Sequence, residues 1–172
     1  MDIIEIDRSR LQDIKDLWKE LNSLHSQLSS NFKQHFDSFT FENRVEKLIC
    51  KEYLSIFVAS DAGLYVGYCI ATADKNRGEI DSIYVQPNYR GQKVGHELMI
   101  TAMERLNKQD YNEIDIYVAE GNEQVLEFYE KYGFKKRSTV MQKKRYNNTL
   151  NRITNKSGSQ WALMKDIKIK PF

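Results

Sequence analysis

EIDSIYVQPNYRGQKVGHELM, residues Glu79–Met99, is the stretch that decides how this chain folds. Its opening alternates and is rich in β-branched and aromatic side chains, which predicts a strand over 79–86. Pro87 and Gly91 then punctuate, after which Val94, Leu98, Ala102 and Leu106 recur on one helical face. A strand therefore runs into a glycine-containing turn that opens directly into a helix. Amides of such a turn, with the unpaired N–H groups of a helix's first turn, form a cradle for phosphate oxygens. Gly91 and Gly95 let the backbone come close, while Arg90 and Lys93 add cations. The same arrangement also serves as plain punctuation, so alone it does not fix a function.

Upstream, Ile3, Ile4 and Ile6 predict a short strand, and Ser9 with Gln12 reads as a capping box opening a helix. That helix carries Leu11, Ile14, Leu17, Trp18, Leu21, Leu24 and Leu28 on one face. Residues 29–39 break the period and read as a loop; Thr40 caps a second helix with Phe41, Val45, Leu48 and Ile49 inward. Two strands, 53–60 and 64–73, follow, joined through Asp61-Ala62-Gly63 as a hairpin. Downstream comes a strand over 113–118, then a helix with Val125, Tyr129 and Tyr132 that stops at Gly133. A strand from Phe134 to residue 144, an exposed loop over 146–159 and a last strand over 160–169 complete the reading. The β-α-β unit over 79–118 needs a parallel crossover, whereas the consecutive middle strands pair antiparallel. The expectation is a mixed α/β fold in a single domain, 1–172. Its sheet is mostly antiparallel, of six to seven strands, with about four helices on both faces.

Hydrophobic residues make up 41% of the chain, enough for a packed core. No apolar run approaches the roughly 18–20 residues that cross a bilayer, and MDIIEIDRSR lacks a basic-then-apolar leader. Cys50 and Cys69 read as reduced, buried thiols of a cytoplasmic protein, and no Cys/His spacing suits a metal. Residues 135–172 hold eleven Lys/Arg against Asp166 alone, a local +10, which leaves −8 on residues 1–134. An acidic body suits a cationic acceptor. The basic end alone does not make a nucleic-acid binder, since no recognition motif accompanies it.

Arg90-Gly91-Gln92-Lys93-Val94-Gly95 resembles motif A of the GNAT superfamily of acetyl-CoA N-acetyltransferases, R/Q-x-x-G-x-G/A, with Lys93 in place of the middle glycine. NEQVLEFYEKYGF, Asn122–Phe134, is similar to motif B of the same superfamily, with Val125 where alanine is usual. The resemblance implies the GNAT fold and transfer of an acetyl group from acetyl-CoA to a primary amine of a small molecule or peptide by direct attack. It also implies roles. Amides from Gln92 to His96 bind the pyrophosphate, and the strand at Ile83, Tyr84 and Val85 splays from its neighbour to pair with pantetheine. The Ile83 amide polarises the thioester carbonyl. Asn122 holds the pantetheine arm, and Tyr129 protonates the departing thiolate. Glu79, eleven residues before Arg90, stands where several members carry a glutamate base, with Asp81 as the second choice.

By the period of two, Glu79, Asp81, Ile83 and Val85 share one strand face. Two carboxylates there push one pKa upward, toward a base's working range. The bland readings stay open: Tyr129 as core packing, Glu79 and Asp81 as a solvated strand, His96, His25 and His35 as surface or capping residues. Phe32, Phe36, Phe39 and Asp37 either wall an acceptor pocket or pack their loop on the body. The competing function is a non-catalytic acyl-CoA-binding regulatory module on the same fold. Edge strands and the tail are compatible with a homodimer. The acceptor itself is not written in the sequence.

Overall fold

The computed structural model describes residues 1–109 and 111–143. The chain divides after Lys135 into two compact units, Met1–Lys135 and Lys136–Phe172, and every helix and strand below belongs to the first. Five strands form one sheet in the order β1-β2-β3-β4-β5: Asp2–Ile6, Tyr53–Asp61, Leu64–Asp74, Arg77–Val85 and Glu113–Ile116. The first four form an antiparallel meander; β5 pairs parallel with β4 after a crossover through α4, Val94–Asn107. Sheet class and crossover match the expectation, with five strands among the described residues rather than six or seven. Residues 134–143 contain no strand, so the strand expected from Phe134 does not form over its described part. The loop expected at 146–159 and the strand expected at 160–169 lie outside the described residues.

Two apolar layers sandwich the sheet. On one face α1 (Lys15–Leu28) and α3 (Phe41–Ile49) pack Leu17, Trp18, Leu21, Phe41 and Leu48 onto Ile56, Val58, Tyr68 and Ile70. On the other, Leu98, Met99, Ala102 and Leu106 of α4 cover Phe57, Cys69, Ala71 and Ile80. Each fully buried Leu, Ile, Val, Met or Phe side chain among them contributes roughly 1.5–3 kcal/mol. The short helix α5, Leu126–Glu130, brings Phe128 and Tyr129 onto this second layer.

Local chemistry corrects several boundaries. The cap ahead of α1 is Asp7, whose carboxylate accepts the Ser9 N–H at 2.8 Å and starts a 3-10 turn over Arg8–Ile14. This displaces the Ser9–Gln12 box. The segment read as a loop holds a short helix, α2, Lys33–Ser38, with no buried residue and hence no apolar period to read. Polar staples hold it: Asn22 donates to the Phe36 carbonyl at 2.8 Å, and Ser26 donates to Asp37 at 2.5 Å. Thr40 caps α3 as expected, in a reciprocal box with Asn43, although Ile49 points outward at 51% exposure. Cys50 is exposed rather than buried, whereas Cys69 is buried.

Candidate functional site

One irregularity in β4 organises the site. Ile80 pairs with Ala71, but Ser82 pairs with Ile70, so Asp81 is an extra residue without an opposite number. A bulge of this kind re-aims the side chains beyond it. The single face expected for Glu79, Asp81, Ile83 and Val85 is therefore split. Ile83 and Val85 pack in the α4 layer; Asp81 forms an ion pair with Arg44 of α3, on the opposite layer. Glu79, flanked by Gly78 and the α4-side Ile80, also faces the Arg44 side. Asp81 is only 7% exposed at its side chain and Arg44 16%. A carboxylate so engaged is anchored rather than available.

The same strand then leaves its neighbour. The parallel ladder ends at Ile80↔Ile116, yet β4 runs on to Val85. Residues 81–85 thus have no strand partner on the β5 side among the described residues, and a cleft opens between the two strands. Backbone groups along an unpaired strand edge are ready partners for an extended ligand. The far wall of the cleft is segment 117–122, which ends in Asn122, 9% exposed, with its amide bound to the Ala119 carbonyl at 3.0 Å. The Asn122 side-chain oxygen accepts from Gln124 at 2.8 Å.

Directly ahead of the cleft lies the turn Arg90–Lys93 and the start of α4. Gly91 has φ 76° and Lys93 φ 64°, both left-handed. Lys93 is the N-cap of α4, and no side chain caps the helix. Its first-turn amides are left for a ligand, and an anion is the natural one. Val94 is buried and anchors the turn, and a Cβ added at Gly95 would meet Val85 at 3.7 Å and Phe128 at 3.8 Å. Arg90 donates to the Val85 carbonyl at 2.9 Å and lies over the Tyr84 ring, while Gln92 donates to the Asn88 carbonyl at 2.9 Å. Tyr84 itself is buried and bonds Glu20 of α1 at 3.0 Å. His96 shares a hydrogen bond with the Tyr132 hydroxyl at 2.9 Å, a surface pairing.

Lys93 occupies the position where the resembling motif has glycine, and the left-handed backbone explains why glycine suits it. A non-glycine residue there is strained. Lys93→Gly is expected to raise the stability of the unliganded protein by roughly 0.5–1 kcal/mol, the larger unfolded entropy of glycine offsetting part of the gain. Urea unfolding checks this; a loss of stability would mean that the lysine side chain makes a bond outweighing the strain.

Around Glu79, Thr72, Glu79 and Asp115 occupy one rung across β3, β4 and β5. They line a cavity of about 160 Å3 with Lys51, Asp74 and Tyr117. Burial lifts the Glu79 carboxyl above its ordinary value of 4.5, opposed by Lys51 and Arg44 and reinforced by Asp115 and Asp74. The Thr72 hydroxyl is buried there without a hydrogen-bond partner. Asp115, Lys51 and Arg44 were absent from the sequence reading. The alternation of EIDIYV was the available signal for Asp115, and nothing local marks the others.

On the opposite side of the cleft, Tyr129 packs edge-on against Phe128 and Phe134 and feels Cys69 nearby. Burial pushes its phenol up to about 12. Glu79 and Tyr129 thus stand on opposite faces of the sheet. His25, half-buried, lies tilted against Phe36, and His35 stacks on Phe39. Both histidines belong to the α1–α2 hairpin rather than to the cleft. A wider hollow of about 460 Å3 lies beside Arg10, Asp13, Glu20 and Gln86, but these groups already bond one another or Tyr84.

Residues 14–134 match the acetyltransferase (GNAT) family. A Bacillus subtilis (strain 168) protein provisionally named ribosomal protein bS18-alanine N-acetyltransferase is 28% identical over 125 residues, 72% of this chain and 76% of its own. Among solved structures, the aminoglycoside N-acetyltransferase AAC(6')-Iy in complex with CoA superposes with a TM-score of 0.61 at 18% identity, over 84% of this chain and 93% of that one. The PaiA N-acetyltransferase of Thermoplasma acidophilum in complex with coenzyme A gives 0.65 at 20% identity, over 81% and 94%. At such identities the structures speak for the fold alone. No helix among the described residues is long and apolar enough to cross a membrane. With a family match across most of its length, and with the strand–turn–helix and cleft to fit it, the chain belongs to the acetyltransferase (GNAT) family and is an acetyl-CoA-dependent N-acetyltransferase.

Proposed function

We propose that acetyl-CoA lies with its pyrophosphate on the Gln92–His96 amides and its pantetheine arm along residues 83–85. The single observation that carries this reading is the end of the β4–β5 ladder at Ile80↔Ile116, immediately before an uncapped helix N-terminus. Asn122 holds the arm from the far wall. The amide of Ile83 donates to the thioester oxygen and steadies the charge that develops there. A primary amine enters from the Glu79 side, gives up a proton there and attacks the thioester carbon as the free amine. Glu79 accepts the amine's proton, directly or through water; Tyr129 gives its phenolic proton to the departing sulfur. Asp81, bound to Arg44, fixes the bulge instead of acting as base. Arg90, in turn, fixes the strand end through the Val85 carbonyl.

The acceptor is the primary amine of a small molecule or a peptide. A cavity whose lining carboxylates, Asp74, Glu79 and Asp115, outnumber its lining cations, Lys51 and Arg77, favours a cationic group. Two free thiols suit a reducing compartment, the cytoplasm. The outer edges of β1 and β5 leave a homodimer open as the assembled form.

The test is acetyl-CoA-dependent thiol release against a panel of polyamines, aminoglycosides, amino acids, N-terminal peptides and lysine peptides. Release with one amine class, saturable in both substrates, is the expected result. Binding of acetyl-CoA without release for any amine would favour the regulatory module.

A further inference from the structure

Thr72 stands directly opposite Glu79 in the antiparallel β3–β4 ladder. Side chains paired in this way share a face, with Cβ atoms about 4.5–5.5 Å apart. Both residues line the cavity of about 160 Å3. Thr72 is 0% exposed, yet its hydroxyl has no hydrogen-bond partner. A hydroxyl buried and left unbonded costs free energy, and a valine of the same shape would fill the position without that cost.

The charged groups that line the cavity are otherwise engaged. Lys51 is bound to Asp74 at 2.6 Å, and Arg77 to Asp115 at 3.2 Å. Glu79 feels Lys51 and Arg44 only at a distance, and its side chain makes no hydrogen bond or ion pair among the described residues. One carboxyl and one unbonded hydroxyl are therefore left facing the same small space.

A primary amine fits that pair by its count of N–H bonds. After giving up one proton to Glu79 it keeps two N–H bonds and a lone pair. One N–H is served by the Thr72 oxygen and the other by the Glu79 carboxyl, while the lone pair stays free for the thioester carbon. A secondary amine keeps a single N–H after the same loss, so one of the two oxygens goes unserved. Polar groups matched to a substrate N–H turn away the analogue that lacks it.

We propose that the Thr72 hydroxyl is a specificity-determining contact for the acceptor, accepting a hydrogen bond from the amine nitrogen and selecting primary over N-methylated amines. This rests on Glu79 receiving the amine, as proposed above. Thr72 itself takes up and gives up no proton.

Acetyl-CoA-dependent thiol release tests it with two pairs of amines in the wild type, Thr72→Val and Thr72→Ser. A lysine peptide is set against its N-methyl-lysine form, and pentane diamine against the same diamine N-methylated at both ends. The wild type is expected to favour the primary amine of a pair by about tenfold or more in kcat/KM. Thr72→Val is expected to lose most of that preference, through slower use of the primary amine, and to melt no lower than the wild type. Thr72→Ser keeps the preference. The bulk of the methyl group weighs alike on threonine and its valine isostere, so the change in ratio reads the hydrogen bond. An equal loss on both amines in Thr72→Val would make the hydroxyl a support for Glu79 or for a bound water, and would overturn the proposal. So would an unchanged ratio, or a valine variant that melts lower, since the hydroxyl would then have its partner within the protein. Release from neither primary amine overturns it as well. Full activity of Glu79→Gln would instead remove the reading of Glu79 on which the proposal rests.

Discussion

Glu79→Gln is expected to lower kcat/KM by about 10²-fold or more near neutral pH, with the deficit shrinking as pH rises. The amine must lose a proton during attack, and Glu79 is the half-buried carboxyl on the rung beside the bulge. Its raised pKa sets the sign. In the wild type, activity falls as pH drops through the raised value, because the protonated carboxyl cannot accept a proton. The glutamine variant lacks that limb and instead follows the fraction of amine already neutral in solution. Stability responds in the opposite sense. The native state binds this proton more tightly than the unfolded chain, so the contribution of Glu79 is favourable below the ordinary range and declines as pH rises through the folded value. Glu79→Gln is therefore expected to melt no lower than the wild type at neutral pH, and thermal unfolding separates a lost rate from a lost fold. Full activity across pH in this variant would assign the proton to water or to another group. Asp81→Asn is expected to act otherwise: it removes the ion pair that anchors the largely buried Arg44 and lowers stability, by about 3–5 kcal/mol, with Glu79 left as the nearby carboxylate.

Tyr129→Phe is expected to lower kcat by about 10²-fold or more while acetyl-CoA affinity stays nearly unchanged. The ring contacts with Phe128 and Phe134 survive the substitution, so the hydroxyl alone is lost. With the phenol pushed up to about 12, the group stays protonated throughout the neutral and mildly alkaline range. Hence the wild-type kcat profile has no alkaline fall between roughly pH 7 and 10 that Tyr129→Phe removes. Such a removable limb would place the ionisation elsewhere than the account does. A small change in kcat would leave Tyr129 as core packing.

The chain announced the parts of this site that depend on short-range pattern. Strand, turn and helix over 79–99 follow from alternation, Pro87, Gly91 and the Val94–Leu98–Ala102–Leu106 stripe, and all four of those helix residues are buried. The Thr40 cap was legible because capping chemistry is local, although its reciprocal partner Asn43 was not read. The bulge at Asp81 was not, since an extra residue in a ladder is defined by its partner strand, and the doubled polar pair Asp81-Ser82 marks it only once β3 lies alongside. That one residue decides which carboxylate is anchored and which is left to act. Arg44, Lys51 and Asp115 converge on Glu79 from α3, the end of that helix and β5, contacts that no local period encodes. Helix α2 was missed because polar staples to α1, not a buried face, hold it.

The account stands on acetyl-CoA binding where β4 parts from β5 and α4 begins, and thermal unfolding of Gly95→Asp against wild type tests that directly. A Cβ at this position meets only ordinary contacts, and a carboxylate in the first turn of a helix suits its dipole; a cooperative melt of the variant without acetyl-CoA checks that it folds. The same carboxylate repels a pyrophosphate at the α4 amides. Saturating acetyl-CoA is expected to raise the melting temperature of the wild type, by mass action on the folded state, and to leave that of Gly95→Asp unmoved. An equal rise in both proteins would contradict the account, since acetyl-CoA would then be binding somewhere other than this turn.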